Sequence, residues 1–324
     1  MPVRPALPTR ALGGSALLLL PLLSAACSGD TSADAAPALT RQQAEQALNR
    51  YAAAVTTAGQ SLDPAALSPV EGAPLLPMDV ASVKLRKAVK KKAAPLKFSS
   101  TSFLIPRLSG YPRWFAVDAV SRTGRQGFRH ALLFTQAKEG APWLATADPF
   151  PADTSLAKAA RDEGGFAAPV PLDAKGLAIA PGRIGAAHTA LLNGGPKAAG
   201  AGGIAPGPQT TGAYEALRAG QSALTKRGVD MKAAFSPDAA PTYALRTKDG
   251  GALVWYTVKQ TEAYSAAKRG RLRLSGDLIG LTTPDSVKKR MNSTVLIQYL
   301  AVVPPHGAAT VNGIYRKAIA VDAS

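Results

Sequence analysis

The stretch Arg113 to Ala137, "RWFAVDAVSRTGRQGFRHALLFTQA", decides the fold. Two runs rich in aromatic and β-branched residues flank "TGRQG", a glycine-containing break. Such side chains fit a pleated, half-buried surface. Two of these runs around a short glycine-bearing break predict a β-hairpin. Further along, Thr242 to Gln260 reads "TYALRTKDGGALVWYTVKQ". Here Asp249-Gly250 is the strongest short-range turn signal in the chain. "APWLATADPF" (Ala141 to Phe150) extends the first set of strands. "RLRLSGDLIGL" (Arg271 to Leu281), "VLIQYLAVV" (Val295 to Val303) and "GIYRKAIAV" (Gly313 to Val321) extend the second.

Helices precede both sets. Thr40 stands at an N-cap with Gln43 in the capping-box position. Ala44, Ala47, Leu48, Tyr51 and Val55 follow at helical spacing. Asp79 is placed to cap a second, basic helix through Lys92. Ile184 to Leu192 forms a short helix, and Tyr214, Leu217, Gln221 and Leu224 line another that ends at Gly228. Helices followed by runs of strands predict an α+β class with antiparallel sheets. The expected organisation is two tandem helix-plus-antiparallel-sheet domains, 40–165 and 183–324, joined by a linker over 166–182. Each half puts an aromatic pair near a strand start, Trp114-Phe115 and Trp255-Tyr256, as a diverged duplication would. The pattern is similar to the cystatin-like and nuclear-transport-factor-like folds, an analogy that carries no function. "NGGPKAAGAGGIAPGPQT" (Asn193 to Thr210) reads as a mobile loop.

Outward at the N-terminus, Arg4 and Arg10 precede an apolar run from Ala11 to Leu23 and then Ser24, Ala25, Ala26 and Cys27. A basic start, a short apolar run and small residues have the layout of a secretory signal. The run is too short to span a bilayer comfortably. "LLSAAC" resembles the lipobox of bacterial lipoproteins, in which a diacylglycerol is attached to the cysteine sulfur and cleavage falls just before it. The resemblance makes 1–26 a lipoprotein signal peptide and Cys27 the lipid attachment point. Residues 27–39, small and polar with one proline, then form a flexible tether. The expected location is the extracytoplasmic face of the cell membrane.

One cysteine excludes an intramolecular disulfide and cysteine-rich zinc sites. The net charge of +17 favours anionic partners. For an exported chain these are phospholipid headgroups or cell-wall polymers rather than nucleic acid. "YPRWFAV" (Tyr111 to Val117), "APWLA" (Ala141 to Ala145), "YALRTKDGGALVWY" (Tyr243 to Tyr256) and "VVPPHGA" (Val302 to Ala308) resemble a family of actinobacterial lipoproteins defined by a domain of unknown function. That resemblance agrees with the lipobox and supplies no catalytic residues.

The chemistry-bearing residues are sparse. His130, His188 and His306 lie far apart in sequence without metal-ligand spacing, so no metal and no cofactor is expected. If "TGRQG" is the turn, Asp118 lies nearly opposite His130, where cross-strand side chains meet. This pair is the candidate acid–base dyad. Ser-x-x-Lys occurs at Ser155, Ser265 and Ser286 without the partner Lys-Thr-Gly element. "KLRKAVKKK" (Lys84 to Lys92) is the sharpest charge feature. It presents Lys84, Arg86, Lys87, Lys90, Lys91 and Lys92 as candidates for an anionic surface. The expectation is a lipid-anchored extracytoplasmic binding or interaction module of unknown ligand, its protein partner also unknown, and not an enzyme. The alternative is an envelope enzyme using Asp118 and His130 in a cupped sheet.

Overall fold

A computed structural model describes residues 35–124, 126–266, 272–282, 286–287 and 289–323. Cys27, the signal segment and most of the expected tether lie outside the described residues. Contacts gather the described residues into one unit.

The elements follow in chain order. Helices α1 (Arg41–Ser61) and α2 (Leu75–Ala88) come first. Strands β1 (Phe98–Leu104), β2 (Arg113–Thr123), β3 (Gln126–Gln136), β4 (Leu144–Ala147) and β5 (Phe150–Pro151) follow. Helices α3 (Ile184–Gly194) and α4 (Thr211–Lys226) precede β6 (Val229–Pro237), β7 (Tyr243–Arg246) and β8 (Ala252–Ala266). The chain then runs through β9 (Leu272–Arg273) and β10 (Ser286–Val287). It closes with β11 (Arg290–Val303) and β12 (Thr310–Ala323). The class is α+β. One antiparallel sheet has the order β1-β2-β3-β4 and another β5-β12-β11-β8-β6, with β7 on β8.

Strand alternation builds four layers. On β2, Phe115, Val117 and Ala119 point to one face and pack beneath Ala44, Ala47, Leu48 and Tyr51 of α1. Trp114 and Ala116 point to the other, where they meet Leu245, Leu253, Trp255, Leu300 and Val302 of the second sheet. Val254, Tyr256 and Val258 on the far side of β8 pack on Ile184, Ala187 and Leu191 of α3. Successive side chains on a strand face opposite ways, so each strand serves two cores. The Trp255 indole N–H crosses between the sheets to the Ala131 carbonyl (2.9 Å).

Several expectations meet their elements here. Thr40 and Gln43 form the reciprocal capping box on α1. The Asp249-Gly250 turn joins β7 to β8, with Gly250 at φ 82. Others change. The two halves expected as separate domains share the core between the sheets, and 166–182 contributes buried Ala167, Val170 and Pro181. The end of the tether joins the body, because Ala38 and Leu39 are apolar and find buried places. The second helix starts at Leu75 rather than at Asp79 and ends at Ala88. Its carboxylate at Asp79 faces Tyr315 instead of capping a helix end. The glycine-rich stretch is irregular yet packed, with Ala201 and Ile204 in the core. Among the described residues of "RLRLSGDLIGL", only Leu272–Arg273 forms strand.

Candidate functional site: an arginine-lined cleft at the start of helix α1

Helix α1 spans about 30 Å at 1.5 Å per residue. A cavity lies at each end of it. At its N-terminal end a cleft of about 900 Å³ is bordered by Arg41, Arg113 and Arg161, with Phe103, Tyr111, Trp143 and Phe166 among its walls. No Asp or Glu is among the described residues lining it. Arg113 is the first residue of β2. Its Nη1 donates to the Ala38 carbonyl (3.3 Å), and its buried Nε has no hydrogen-bond partner among the described residues. Arg161 donates to the Gly165 carbonyl (2.8 Å), the Phe103 carbonyl (2.9 Å) and the Ser102 hydroxyl (3.1 Å). All of these partners are uncharged. Among the described residues, neither the Arg113 nor the Arg161 guanidinium is paired with a carboxylate. Arg41 pairs with Glu45 one turn along its own helix (3.0 Å).

The cleft is held by packing. Trp143 meets Phe115 edge-on, and the Arg113 guanidinium lies 5.2 Å from the Tyr111 ring. Guanidinium forks match carboxylate and phosphate oxygens, and a cavity of this size falls in the range of small-ligand sites. Sequence reading missed these arginines. They come from α1, β2 and the segment after β5, and only the fold brings them together. "YPRWFAV" carried one of the three.

The expected dyad is corrected by register. Thr123 pairs with Gln126 across the turn, so His130 stands opposite Ala119 and Asp118 opposite Ala131. A one-residue change in pairing moves a side chain to the other face. Asp118 binds Arg129 Nη1 through both oxygens (2.5 and 2.7 Å). His130 turns under α1, where its Nδ1–H donates to Asp148 Oδ2 (2.8 Å). Burial pulls the His130 pKa down, but the charge and hydrogen bond of Asp148 outweigh it, and the net shift is upward. Burial raises Asp148 against the lowering effect of His130.

His188 is a structural pin. Its Nε2–H donates to the Gln209 carbonyl (2.9 Å), and Nδ1 accepts from the Tyr256 hydroxyl (2.8 Å). Burial lowers its pKa to about 4. Among the described residues, no cluster of His, Cys, Asp and Glu is arranged to hold a metal. No helix among them is long and apolar enough to cross a membrane. The basic run keeps Lys84, Lys87, Lys90, Lys91 and Lys92 exposed. Arg86 instead lines the cavity at the other end of α1.

A family model described as "Domain of unknown function (DUF8094)" matches residues 35–323, and the chain belongs to that family. An uncharacterized lipoprotein of Streptomyces coelicolor is 28% identical over 285 residues, covering 86% of this chain and 84% of that protein. An uncharacterized lipoprotein of Streptomyces avermitilis is 31% identical over 245 residues, covering 72% and 69%. No solved structure matches the chain.

Proposed function

We propose that this member of the family is a lipid-anchored extracytoplasmic binding module whose arginine-lined cleft takes a phosphodiester anion. One observation carries the reading: Arg113 and Arg161 bring two positive charges into a cleft of about 900 Å³, bound, among the described residues, only to neutral groups. Among those residues the buried Arg113 Nε also lacks an acceptor. An unmet buried donor costs about 1–3 kcal/mol, so an anion that meets it gains affinity. The cleft wall includes Pro37, Ala38 and Leu39. These lie about ten residues beyond Cys27, the proposed acylation site, and ten residues of chain span at most about 35 Å. Anionic phospholipid headgroups and phosphate-bearing wall polymers share the phosphodiester chemistry and are both within that reach.

The test uses the mature chain with Cys27→Ala, which should itself leave the membrane fraction because acyl chains supply anchoring affinity. Binding is compared on phosphatidylglycerol vesicles, neutral vesicles and a soluble glycerol-phosphate polymer. The anionic vesicles or the polymer should bind, and the stronger of the two identifies the source. Arg113→Gln with Arg161→Gln should weaken that binding by about 10-fold or more, since hydrogen bonds to charged groups are worth about 1.5–3 kcal/mol. Equal binding by the double variant would overturn the proposal.

A further inference from the structure

The cavity at the other end of α1, about 370 Å³, contains a constellation that the binding reading does not use. Ser121 near the end of β2 and His130 on β3 lie diagonally across the strand pair, on the face beneath α1. The Ser121 hydroxyl lies 2.7 Å from His130 Nε2, and Asp148 Oδ2 lies 2.8 Å from Nδ1 on the other side of the ring. Asp148 belongs to the turn between β4 and β5. Its backbone N–H donates to Gln298 Oε1 (2.8 Å), and the Gln298 amide in turn donates to the Thr146 carbonyl (2.9 Å). A fully buried side chain of the second sheet therefore fixes the carboxylate. The imidazole is clamped edge-on by Phe98 (5.2 Å) and Phe150 (5.0 Å). A carboxylate accepting from Nδ1–H leaves Nε2 as the acceptor for the serine proton. This is the connectivity of a nucleophile, a base and an orienting carboxylate.

We propose that Ser121, His130 and Asp148 form a second site, an acyl-transfer centre that hydrolyses a carboxylic ester of an anionic amphiphile. The apolar part of the substrate fits Val55, Leu67, Val83, Leu96 and Phe150 in the cavity wall. Its negative head fits Arg86 and Arg122, which line the same cavity and meet no ion-pair partner among the described residues. Exposed Lys90, Lys91, Lys92 and Lys97 flank the wall segment 93–96 and extend the positive rim. Ser121 Oγ attacks the ester carbonyl carbon as His130 Nε2 takes its proton. The carbon–oxygen bond to the alcohol breaks, and His130 returns that proton to the leaving oxygen. Water then attacks the acyl-serine, giving a proton to His130, which passes it to Ser121 as the acid departs. Ester and water become acid and alcohol, with no other reactant.

This site shares no residue with the arginine cleft, so the two readings fail separately. The experiment treats the full-length lipoprotein, in detergent, with a fluorophosphonate probe at pH 8, and maps the label by mass spectrometry. Ser121 should be phosphonylated. His130→Gln and Asp148→Asn should slow labelling by about 10²-fold or more. The labelling rate should rise with pH as His130 loses its proton, with its midpoint above the ordinary histidine value. Because substitutions in a buried network can disturb folding, Ser121→Cys is measured in parallel. Its thiol should react with iodoacetamide faster than the same variant carrying His130→Gln. Phosphatidylglycerol vesicles with a fluorogenic acyl ester supply the turnover arm, and hydrolysis should vanish in Ser121→Ala. An unlabelled Ser121 in folded protein, or labelling indifferent to His130, overturns the proposal. Ester hydrolysis undiminished in Ser121→Ala does so too.

Discussion

Glu71 is 1% exposed and lies beside Asp79, a second carboxylate. Burial first, and then the charge of Asp79, push its pKa far above the ordinary carboxylate range. Asp79 accepts from the Tyr315 hydroxyl (2.6 Å), and burial raises its pKa as well. Glu71 is thus held neutral in the fold but ionises near the ordinary glutamate value of about 4.3 when the chain unfolds. The folded state binds the extra proton. Glu71's stabilising contribution is complete below that unfolded value and is lost as pH rises toward the raised folded one. The loss is at most about 1.4 kcal/mol per pH unit. Glu71→Gln should flatten the decline in stability between pH 5 and pH 9, read as melting temperature across that range. Parallel curves for the two proteins would contradict the assignment. Nothing in the sequence marked Glu71, since an isolated Glu beside a glycine reads as surface.

At the scale of elements, the strands and α1 were legible because their side-chain periods are strong. The pairing across β2–β3 was not. Turn composition located the hairpin, but its register depends on which two residues cap it, and the one-residue difference exchanged Asp118 for Ser121 as the partner of His130. Asp148 was hidden in a short "ADPF" turn whose partner lies 18 residues back. The basic run was legible as charge, but its helix stops at Ala88, short of the expected end at Lys92. It leaves the helix at Val89, and Lys90 adopts a left-handed backbone at φ 54. Its lysines are free to meet an anionic surface, where each can contribute about 1 kcal/mol. Changing Lys90, Lys91 and Lys92 to Gln should weaken binding to anionic vesicles at low salt, and the difference should fade at high salt through screening. Unchanged binding of the triple variant would remove this segment from the interface.

For the whole molecule, the α+β class followed from element order, whereas the layering did not. Of the aromatic pairs that suggested a duplication, Trp114 and Trp255 belong to the same core between the sheets. That shared core predicts coupled unfolding of the two halves. Trp255→Phe removes the bond to the Ala131 carbonyl and leaves a space. Loss of one such buried hydrogen bond costs about 1–3 kcal/mol. Denaturant unfolding followed by far-ultraviolet circular dichroism should shift as one transition. A separate early transition of half amplitude would show that the halves stand alone.

The central claim is that an anion meets the Arg113 side chain, whose Nε has no hydrogen-bond partner among the described residues. Nuclear magnetic resonance of the Arg113 Nε–H, assigned through Arg113→Gln, reads this directly during titration with a glycerol phosphodiester. The account predicts a saturable shift of that resonance, with lysine signals moving less and returning when salt is raised. Saturable shifts confined to the lysines, with the Arg113 Nε–H unmoved, would contradict it.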